Sequence, residues 1–440
     1  MTKLLSFTDN KVVYSWALYD WANSAYATTV IAAVLPTYFS KVAAAGLAPN
    51  IASSYWAYAT TFAMVLLVFL SPVLGAIADY KKSKIKFLFG FVALGVSFTG
   101  LLFFVQEGDW LLASIFYILS RAGWSGANVF YDSFLPHISH ENEIDQISTL
   151  GYALGYLGGS LLLAVNIGMI LSPNSFGIPD SELGTRLSLL SVACWWALFS
   201  IPLFKTVKDP DIDSSRIEDK NIIVIAFQRL SNTFKEMKNY KQAFLFLVAF
   251  WFYNDGIGTI ISMAVIFGTE IGIGEGHLIG AILAVQLIGI PFTMLFGKLS
   301  AKINVKRAIY LGLLVYTLIS IGGYFMRTAF HFWILAVSVG MVQGGTQALS
   351  RSLFGQMTPK KKSAEFFGFF DVSQKFSGIL GPLVFGLIAQ LTGSSRLSII
   401  TLVAFFLGGM FILSKVDIAQ GFQTATQINM RDQEPHLSRI

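Results

Sequence analysis

Charged side chains are scarce in this chain of 440 residues. Asp, Glu, Lys and Arg together make up 13% of the sequence, against 54% for hydrophobic residues. A water-soluble domain usually carries about 25% charged residues, so this composition excludes an ordinary soluble protein and predicts an integral membrane protein. The chain also has a single cysteine, Cys194, which excludes an intramolecular disulfide bond.

Motifs of the common enzyme classes are missing as well. The sequence has no Gly-x-x-x-x-Gly-Lys-Ser/Thr loop, which argues against direct use of ATP, and no Gly-x-Ser-x-Gly nucleophile elbow. The glycines between positions 272 and 276 follow a hydrophobic segment rather than a strand, so they indicate a turn. His137 and His140 lie near Glu141 in a polar stretch and indicate a solvated loop. We therefore expect no enzyme activity, no metal and no cofactor.

Long hydrophobic segments account for most of the chain. A helix that spans a bilayer needs about 20 apolar residues, and twelve segments meet that requirement. They lie near 12–38, 55–78, 86–106, 110–136, 149–172, 187–205, 241–268, 277–300, 307–326, 331–352, 366–391 and 396–415. The sequence therefore predicts an all-α membrane protein that crosses the bilayer twelve times.

Lysine and arginine are distributed unevenly around these segments, and basic loops remain on the cytoplasmic side of a membrane. If both termini are cytoplasmic, 24 of the 31 basic residues fall on that side. The exceptions are Lys41, Arg186, Arg327 and Arg396 outside, and Arg121, Arg351 and Lys375 within the membrane. The pattern predicts cytoplasmic termini. The net charge of +6 then reflects the basic loops on one side of the membrane. The sequence has no basic face interleaved with exposed aromatic residues, so it does not indicate nucleic-acid binding.

Residues 206–240 form a long polar stretch that divides the chain. We interpret it as a cytoplasmic linker between an N-terminal six-helix bundle, 1–205, and a C-terminal one, 241–415. Within the linker, apolar residues recur at three- and four-residue steps, which predicts an amphipathic helix in the membrane interface. A solvated linker helix is the alternative. Residues 416–440 are polar and show no periodicity, so we expect a disordered cytoplasmic tail.

Three patterns occur twice at a nearly constant separation. The stretch 75–84 aligns with 297–306 at an offset of 222 residues, and 128–134 aligns with 347–353 at an offset of 219. The glycine-rich run that contains Gly158 matches the one that contains Gly381, at 223. Such offsets indicate two copies of a six-helix unit. Parallel repeats of this kind are the arrangement of major facilitators, which predicts two pseudo-symmetric six-helix bundles.

The loop after the second segment resembles the signature loop of the major facilitator superfamily. Gly75 and Asp79 are followed by a basic cluster, as in that motif. The sequence departs from the pattern at Lys82 and Ser83, where a glycine and an arginine are usual, and the second copy has Ala301 in place of the aspartate. These departures weaken a gating role for the loop but not the fold assignment.

Several further stretches resemble the vacuole-effluxer-like family of major facilitators. They are YDWANSAY at 19–26, GYALGYLGG at 151–159, YNDG at 253–256, GGTQALSRS at 344–352 and EFFG at 365–368. The fungal vacuolar members of that family look like exporters of amino acids, whereas the substrates of bacterial members are mostly undefined. The resemblance therefore implies a secondary transporter in a membrane, here the inner membrane of a bacterium.

Ionisable residues inside the hydrophobic segments are the first candidates for a transport pathway, because each costs roughly 2.5–3.5 kcal/mol on insertion scales. Asp20 shares a helix face with Asn23 and Ser24. Asp255 lies near the middle of the seventh segment, and the glycines after it predict a break in that helix. We interpret Asp255 and Asp20 as proton carriers. Arg121, midway along the fourth segment, is interpreted as a substrate-binding residue or as the partner of an acid.

Neutral polar residues at depth complete the predicted substrate site. They are Asn23, Tyr26, Asn128, Tyr152, Tyr156, Asn254, Gln286, Gln343 and Gln347. A second set is assigned to gating: Asp79, Lys84, Asp132, Arg351, Asp371 and Lys375. Asp132 and Arg351 occupy equivalent places in the two halves and could close a gate, while Asp371 and Lys375 can neutralise each other. Structural roles, as helix caps, ion pairs or helix-to-helix hydrogen bonds, are the alternative for each residue.

Together these patterns predict a secondary transporter that works by alternating access. The expected partners are a small polar or zwitterionic solute, a proton or another coupling ion, and the lipid bilayer. We expect a monomer that exports amino acids or related metabolites in exchange for protons. An exporter of amphipathic compounds, such as drugs, lipids or siderophores, and a membrane receptor that does not transport are the alternatives.

Overall fold

The computed structural model describes residues 10–47, 55–56, 59, 62–63, 65, 73–80, 83–140, 142–209, 240–376, 380–392 and 395–431. This part of the chain is helical and contains no strand. Backbone polar groups have no water to bond with in a bilayer, so a spanning segment satisfies them within a helix. The predicted amphipathic helix of the linker lies outside the described residues.

Thirteen principal helices are described, and their bounds are as follows. They are α1 Lys11–Ala25, α2 Lys84–Leu101, α3 Trp110–Ser133, α4 Ile144–Leu171, α5 Ser181–Thr206, α6 Lys241–Glu270, α7 Glu275–Ile303, α8 Val305–Tyr324, α9 Ala329–Gln356, α10 Ser363–Phe376, α11 Leu380–Thr392, α12 Ser395–Ser414 and α13 Ile418–Arg431. Side chains define several starts: Asn10 accepts from the backbone N–H of Val12 at 3.1 Å, and Asp180 from that of Leu183 at 2.8 Å.

Eight helices of the described part are long and apolar enough to cross a membrane, judged by length and composition. Many large apolar side chains point outward: Leu391, Leu171 and Phe330 are 80%, 75% and 71% exposed. A water-soluble protein rarely exposes broad apolar surfaces of this kind, whereas in a membrane protein such surfaces contact lipid.

The contacts divide the chain into two compact units. The first comprises Met1–Ser71, Lys81–Asp132 and Leu154–Asp211, and the second comprises Pro72–Tyr80, Ser133–Ala153 and Ile212–Ile440. The first ten residues of α4 thus belong to the second unit and its remainder to the first. The division does not follow the linker, so the predicted domain boundaries stay a prediction.

Two expectations about local structure are wrong. Helix α6 is continuous from Lys241 to Glu270 and is not broken after Asp255, because a helical glycine lowers stability without interrupting the hydrogen bonds. The tail is not disordered between 418 and 431, where α13 forms. Asp417 caps that helix by accepting from the Gln420 N–H at 3.0 Å, and the helix buries Gly421 and Ala425.

Helix α1 departs from α-helical geometry at its end. Residues Tyr26–Ala33 form a π-helix, and a second π-helical stretch follows at Phe39–Ala43. Such wide turns are rare and are found frequently at functional sites. The first of them begins at Tyr26, one of the predicted substrate-binding residues.

Candidate functional site

A ladder of polar contacts joins α1 to α3 within the first unit. The Tyr131 hydroxyl donates to Asp20 Oδ2 at 2.8 Å, and Asn23 Nδ2 donates to Asn128 Oδ1 at 2.7 Å. Farther along, the Tyr26 and Ser120 hydroxyls are 2.8 Å apart. Four predicted site residues are therefore brought together here. Tyr26 and Asn23 are buried, so in this structure they join the two helices rather than line an open surface.

Arg121 lies beside this ladder, at the middle of α3. Its guanidinium carbon is 5.2 Å from the centre of the Trp124 ring, and that ring also stacks on Tyr26 at 5.8 Å. Its Nη1 atom is buried and has no hydrogen-bond partner among the described residues. A buried guanidinium donor left unsatisfied costs about 1–3 kcal/mol or more. Arg121 therefore keeps a buried hydrogen-bond donor that the described residues leave unused.

Arg121 does not pair with Asp20. Tyr131, which holds Asp20, follows Arg121 by ten residues on α3, about 15 Å along the helix axis. One small solute cannot contact both side chains with a single charged group. The ladder thus separates an acidic end at Asp20 from a basic end at Arg121.

In the second unit, Asp255 is enclosed between helices. Its side chain is 1% exposed, and neither carboxylate oxygen has a hydrogen-bond partner among the described residues. Gly381, in α11, lies against it: a Cβ added to Gly381 would be 3.1 Å from Asp255 Oδ1. A buried carboxyl group in such a site is unusual, and buried ionisable groups mark functional sites in membrane helices.

Arg351 of α9 holds the start of α4, also within the second unit. Its Nε donates to the Ser148 hydroxyl and its Nη2 to the Ser148 carbonyl, each at 2.9 Å. The guanidinium carbon lies 4.4 Å from the centre of the Tyr152 ring, and Arg351 is 3% exposed. The Ser148 hydroxyl in turn donates to the Ala348 carbonyl at 2.8 Å. Arg351, a predicted gate residue, therefore joins α9 to α4, and the Tyr152 ring packs against its guanidinium.

Asp145, one turn before Ser148, extends this contact. The Ser352 hydroxyl donates to its Oδ1 at 2.5 Å, and Gln356 Nε2 donates to the same atom at 3.0 Å. Both donors lie on α9. Helix α4 thus begins with two polar residues, one turn apart, that bind successive turns of α9.

Ser148→Ala is expected to lower the stability of the protein by about 1–3 kcal/mol, because it removes an acceptor of the buried Arg351 and a donor to Ala348. Thermal unfolding in detergent would measure the change. Ser262→Ala is the matched control, since the exposed Ser262 bonds only to carbonyls of its own helix, at Gly258 and Thr259. Equal melting temperatures for the two variants would contradict the assignment.

The predicted signature loop contacts the start of α10. Asp79 Oδ2 accepts from the Glu365 N–H at 2.9 Å, and a Cβ added to Gly75 would lie 2.4 Å from the Ala364 carbonyl oxygen. A carboxylate at a helix N-terminus is favourable because of the helix dipole. His137, which the sequence places in a solvated loop, is half-buried, and its Nε2 lies 3.0 Å from the Ser363 hydroxyl.

Lys84 begins α2 in the first unit and is 2% exposed. Asp209 Oδ1 accepts from the Ile85 N–H at 3.1 Å, so Asp209 caps this helix. Burial raises the pKa of Asp209, while its hydrogen bond from Ile85 and the ammonium of Lys84 act in the opposite direction. Lys84 is thus placed at a helix start near a carboxylate.

The other predicted residues are distributed over both units. Asp371 and Lys375 form an ion pair on α10, as their spacing predicts. Gln343 and Gln347 are half-buried on one face of α9, two turns and one turn before Arg351, respectively. Asp132 belongs to the first unit and Arg351 to the second, so a gate formed by the two stays a prediction. Of the remaining members, Tyr156 is buried, while Asn254 and Gln286 are half-buried.

Sequence reasoning missed three serines and one acidic residue that take part in these contacts. Ser120, Ser148 and Ser352 carry no charge and barely affect hydropathy, so nothing in the pattern distinguishes them. Asp145 lies just outside the predicted fifth segment. An acidic residue just before an apolar run is typical of the first turn of a helix, and this signal could have identified Asp145.

Comparisons with known proteins agree with this architecture. Residues 8–426 match the family described as vacuole effluxer Atg22 like. An uncharacterized MFS-type transporter, YxiO of Bacillus subtilis (strain 168), is 40% identical over 404 residues, which cover 91% of this chain and 94% of that protein. Autophagy-related protein 22 of Yarrowia lipolytica is 24% identical over 461 residues, covering 85% and 77%.

Two solved structures share the fold. The major facilitator transporter FucP aligns with a TM-score of 0.69 at 15% identity, over 94% of this chain and 99% of that one. The proton:xylose symporter XylE aligns with a TM-score of 0.70 at 12% identity, over 97% and 98%. At this identity the likeness shows the major facilitator fold and nothing finer.

The helices, the ionisable residues within them and these comparisons define a secondary transporter of the major facilitator superfamily, an integral membrane protein that crosses the membrane several times. Its relatives are transporters, so the chain is not an enzyme. Within the superfamily, the chain belongs to the vacuole effluxer Atg22-like family.

Proposed function

We propose that this protein exports amino acids or related small polar metabolites in exchange for protons, by alternating access. The observation that carries the proposal is Arg121, a guanidinium inside a membrane helix with a buried donor that no described residue satisfies. A carboxylate is the ligand that best fits a guanidinium, because it can accept two parallel hydrogen bonds.

The neighbours of Arg121 suit a small organic acid. The Trp124 ring offers an apolar surface next to the guanidinium, and Asn128, one turn further on, offers an amide that now bonds to Asn23. In this proposal the solute carboxylate binds at Arg121, while protons bind at Asp255 and Asp20.

The protein is proposed to work as a monomer in the inner membrane of a bacterium, with both termini in the cytoplasm. The distribution of lysine and arginine supports this orientation. On that basis, the contacts of Arg351, Asp145 and Asp79 lie at the cytoplasmic ends of the helices and serve as gate contacts.

A liposome assay tests the proposed function. Purified protein is reconstituted, a pH gradient is imposed, and flux of a panel of radiolabelled amino acids is measured. The gradient is expected to accelerate flux of at least one of them in the native protein, and Asp255→Asn is expected to abolish that acceleration because its amide cannot carry a proton.

Asp180→Asn is the matched control for this assay. It makes the same chemical change at an exposed helix cap, where Asn replaces Asp without loss, so the acceleration should persist. Flux that is indifferent to the gradient, and equal in Asp255→Asn and the native protein, would refute proton coupling. Binding of an amino acid without any flux would favour the receptor alternative.

A further inference from the structure

Helix α11 packs over Asp255, and Gly381 determines how closely α11 approaches α6 at this point. A Cβ added to Gly381 would lie 1.9 Å from Thr259 Oγ1, 2.9 Å from the Asp255 carbonyl oxygen and 3.1 Å from Asp255 Oδ1. Real Cβ atoms do not approach other atoms below about 3.0 Å. Any residue other than glycine at position 381 therefore collides with the Thr259 hydroxyl and crowds the α6 backbone at Asp255, so the contact between α11 and α6 must change at the level of the carboxylate.

The hydroxyl of Thr259 does not satisfy the carboxylate. It donates to the Asp255 backbone carbonyl at 2.7 Å, within the same helix. At the next residue of α6, Gly256, the Phe406 ring of α12 packs against the helix. Asp255 is thus buried against the backbone of α11, with no described side chain that donates to its oxygens.

Several charged groups on the helices that pack around α6 have partners of their own. On α10, Asp371 and Lys375 pair with each other, and on α9 Arg351 binds Ser148. On α12, Arg396 donates to two backbone carbonyls, those of Tyr324 and Met326. Helix α11 carries no charged residue. Among the described residues, no charged side chain hydrogen-bonds to Asp255, and its surroundings there form a seal.

We propose that Gly381 is a positioning residue for the Asp255 proton site: its bare Cα lets α11 close over the carboxylate and exclude water, and separation of α11 from α6 admits the proton. This inference rests on the proposed role of Asp255 in coupling. It adds that α11 controls when the carboxyl group meets water, which a proton-coupled exporter requires to avoid a leak.

Proton leak without solute tests the proposal. Proteoliposomes containing a pH-sensitive dye are placed in an acid-outside gradient, and the rate of internal acidification is compared. Gly381→Ala is expected to leak several-fold faster than the native protein, because water reaches Asp255 continuously. Gly386→Ala is the matched control on the same helix, since nothing lies within 4 Å of a Cβ added there; its leak should equal that of the native protein.

The double variant Gly381→Ala with Asp255→Asn separates a seal from a general packing defect. The leak should disappear in it, because the carrier is gone, whereas a gap caused by poor packing would persist. An unchanged leak in Gly381→Ala, or a leak that survives Asp255→Asn, overturns the inference while leaving the proposed function intact. Failure of the proposed function shows differently, as an Asp255→Asn variant that still responds to the gradient during transport.

Thiol labelling supplies a second test with Gly381 intact. Cys194 is the only cysteine, so Cys194→Ser provides a background without thiols. Asp255→Cys in that background should react slowly with a small water-soluble thiol reagent, and Gly274→Cys, at an exposed turn, should react rapidly. Equal labelling rates at the two positions would overturn the seal, even if Gly381→Ala cannot be reconstituted.

Discussion

Replacing Arg121 with glutamine is expected to raise the apparent KM for the solute about 10- to 100-fold. Hydrogen bonds to a charged group contribute about 1.5–3 kcal/mol, and each 1.4 kcal/mol is a factor of ten. The same variant should be as stable as the native protein or more so, because it removes a buried Nη1 that has no partner among the described residues. Liposome flux at several solute concentrations and thermal unfolding in detergent measure the two effects.

Arg186→Gln is the matched control for this prediction. Arg186 lies in the same unit, its Nε donates to the Phe103 carbonyl at 2.7 Å, and its guanidinium packs on the Phe103 ring at 4.9 Å. Its loss should therefore lower stability and leave the KM unchanged. If Arg121→Gln instead lowers stability with an unchanged KM, Arg121 is a structural residue and the proposed substrate site is wrong.

The opposite outcomes expected for the two arginines follow from how each is satisfied. A side chain whose hydrogen bonds are complete in the folded protein contributes to stability, and a side chain left incomplete destabilises the protein until a ligand arrives. The sequence places Arg121 within the membrane and Arg186 outside it, but it cannot show which guanidinium is satisfied. That difference depends on the atoms around each one, such as the Phe103 carbonyl that accepts from Arg186.

The helices were predictable because hydrophobic length is a strong signal in membrane proteins. The polar residues chosen from the sequence also include Asp20, Asn23, Tyr26 and Asn128, which the structure brings together on α1 and α3. Which residue bonds to which was not predictable, since it depends on the relative register of two antiparallel helices. That register is set by packing over many side chains.

Helix α13 forms in the tail, which the sequence predicts to be disordered. Its inward face consists of Ile418, Gly421, Phe422, Ala425 and Ile428 at three- and four-residue steps, separated by glutamines and threonines. A stripe with so few large apolar residues barely raises the local hydropathy. The helix is stabilised instead by its docking contacts: Gln242 binds both Gln420 and the Asp417 N–H, and Asn429 accepts from the Lys360 N–H at 2.9 Å.

Gly123→Val is expected to destabilise the protein by roughly 3 kcal/mol or more, at the upper end of overpacking substitutions. A Cβ at position 123 would lie 2.3 Å from the Gly95 nitrogen, 2.4 Å from its Cα and 2.8 Å from the Phe91 carbonyl oxygen. All three are backbone atoms, so no side chain can rotate away. Gly90→Val on α2, the helix that Gly123 of α3 contacts, is the matched control, because nothing lies within 4 Å of an added Cβ there. Thermal unfolding in detergent compares them, and equal melting temperatures would disprove the close crossing of α2 and α3.

The close contact between α2 and α3 also positions the candidate substrate site at Arg121. A Cβ added to Gly95 would lie 2.3 Å from the Trp196 ring and 3.2 Å from the backbone nitrogen of Trp124. Pushing α3 away at Gly123 would thus displace Trp124 and, one turn earlier, Arg121. The milder Gly123→Ala should keep the fold in a fraction of the molecules yet weaken solute binding in those that fold, measured as a smaller thermal shift with whichever solute the liposome assay identifies. A normal shift in folded Gly123→Ala would mean that Arg121 is positioned independently of this contact.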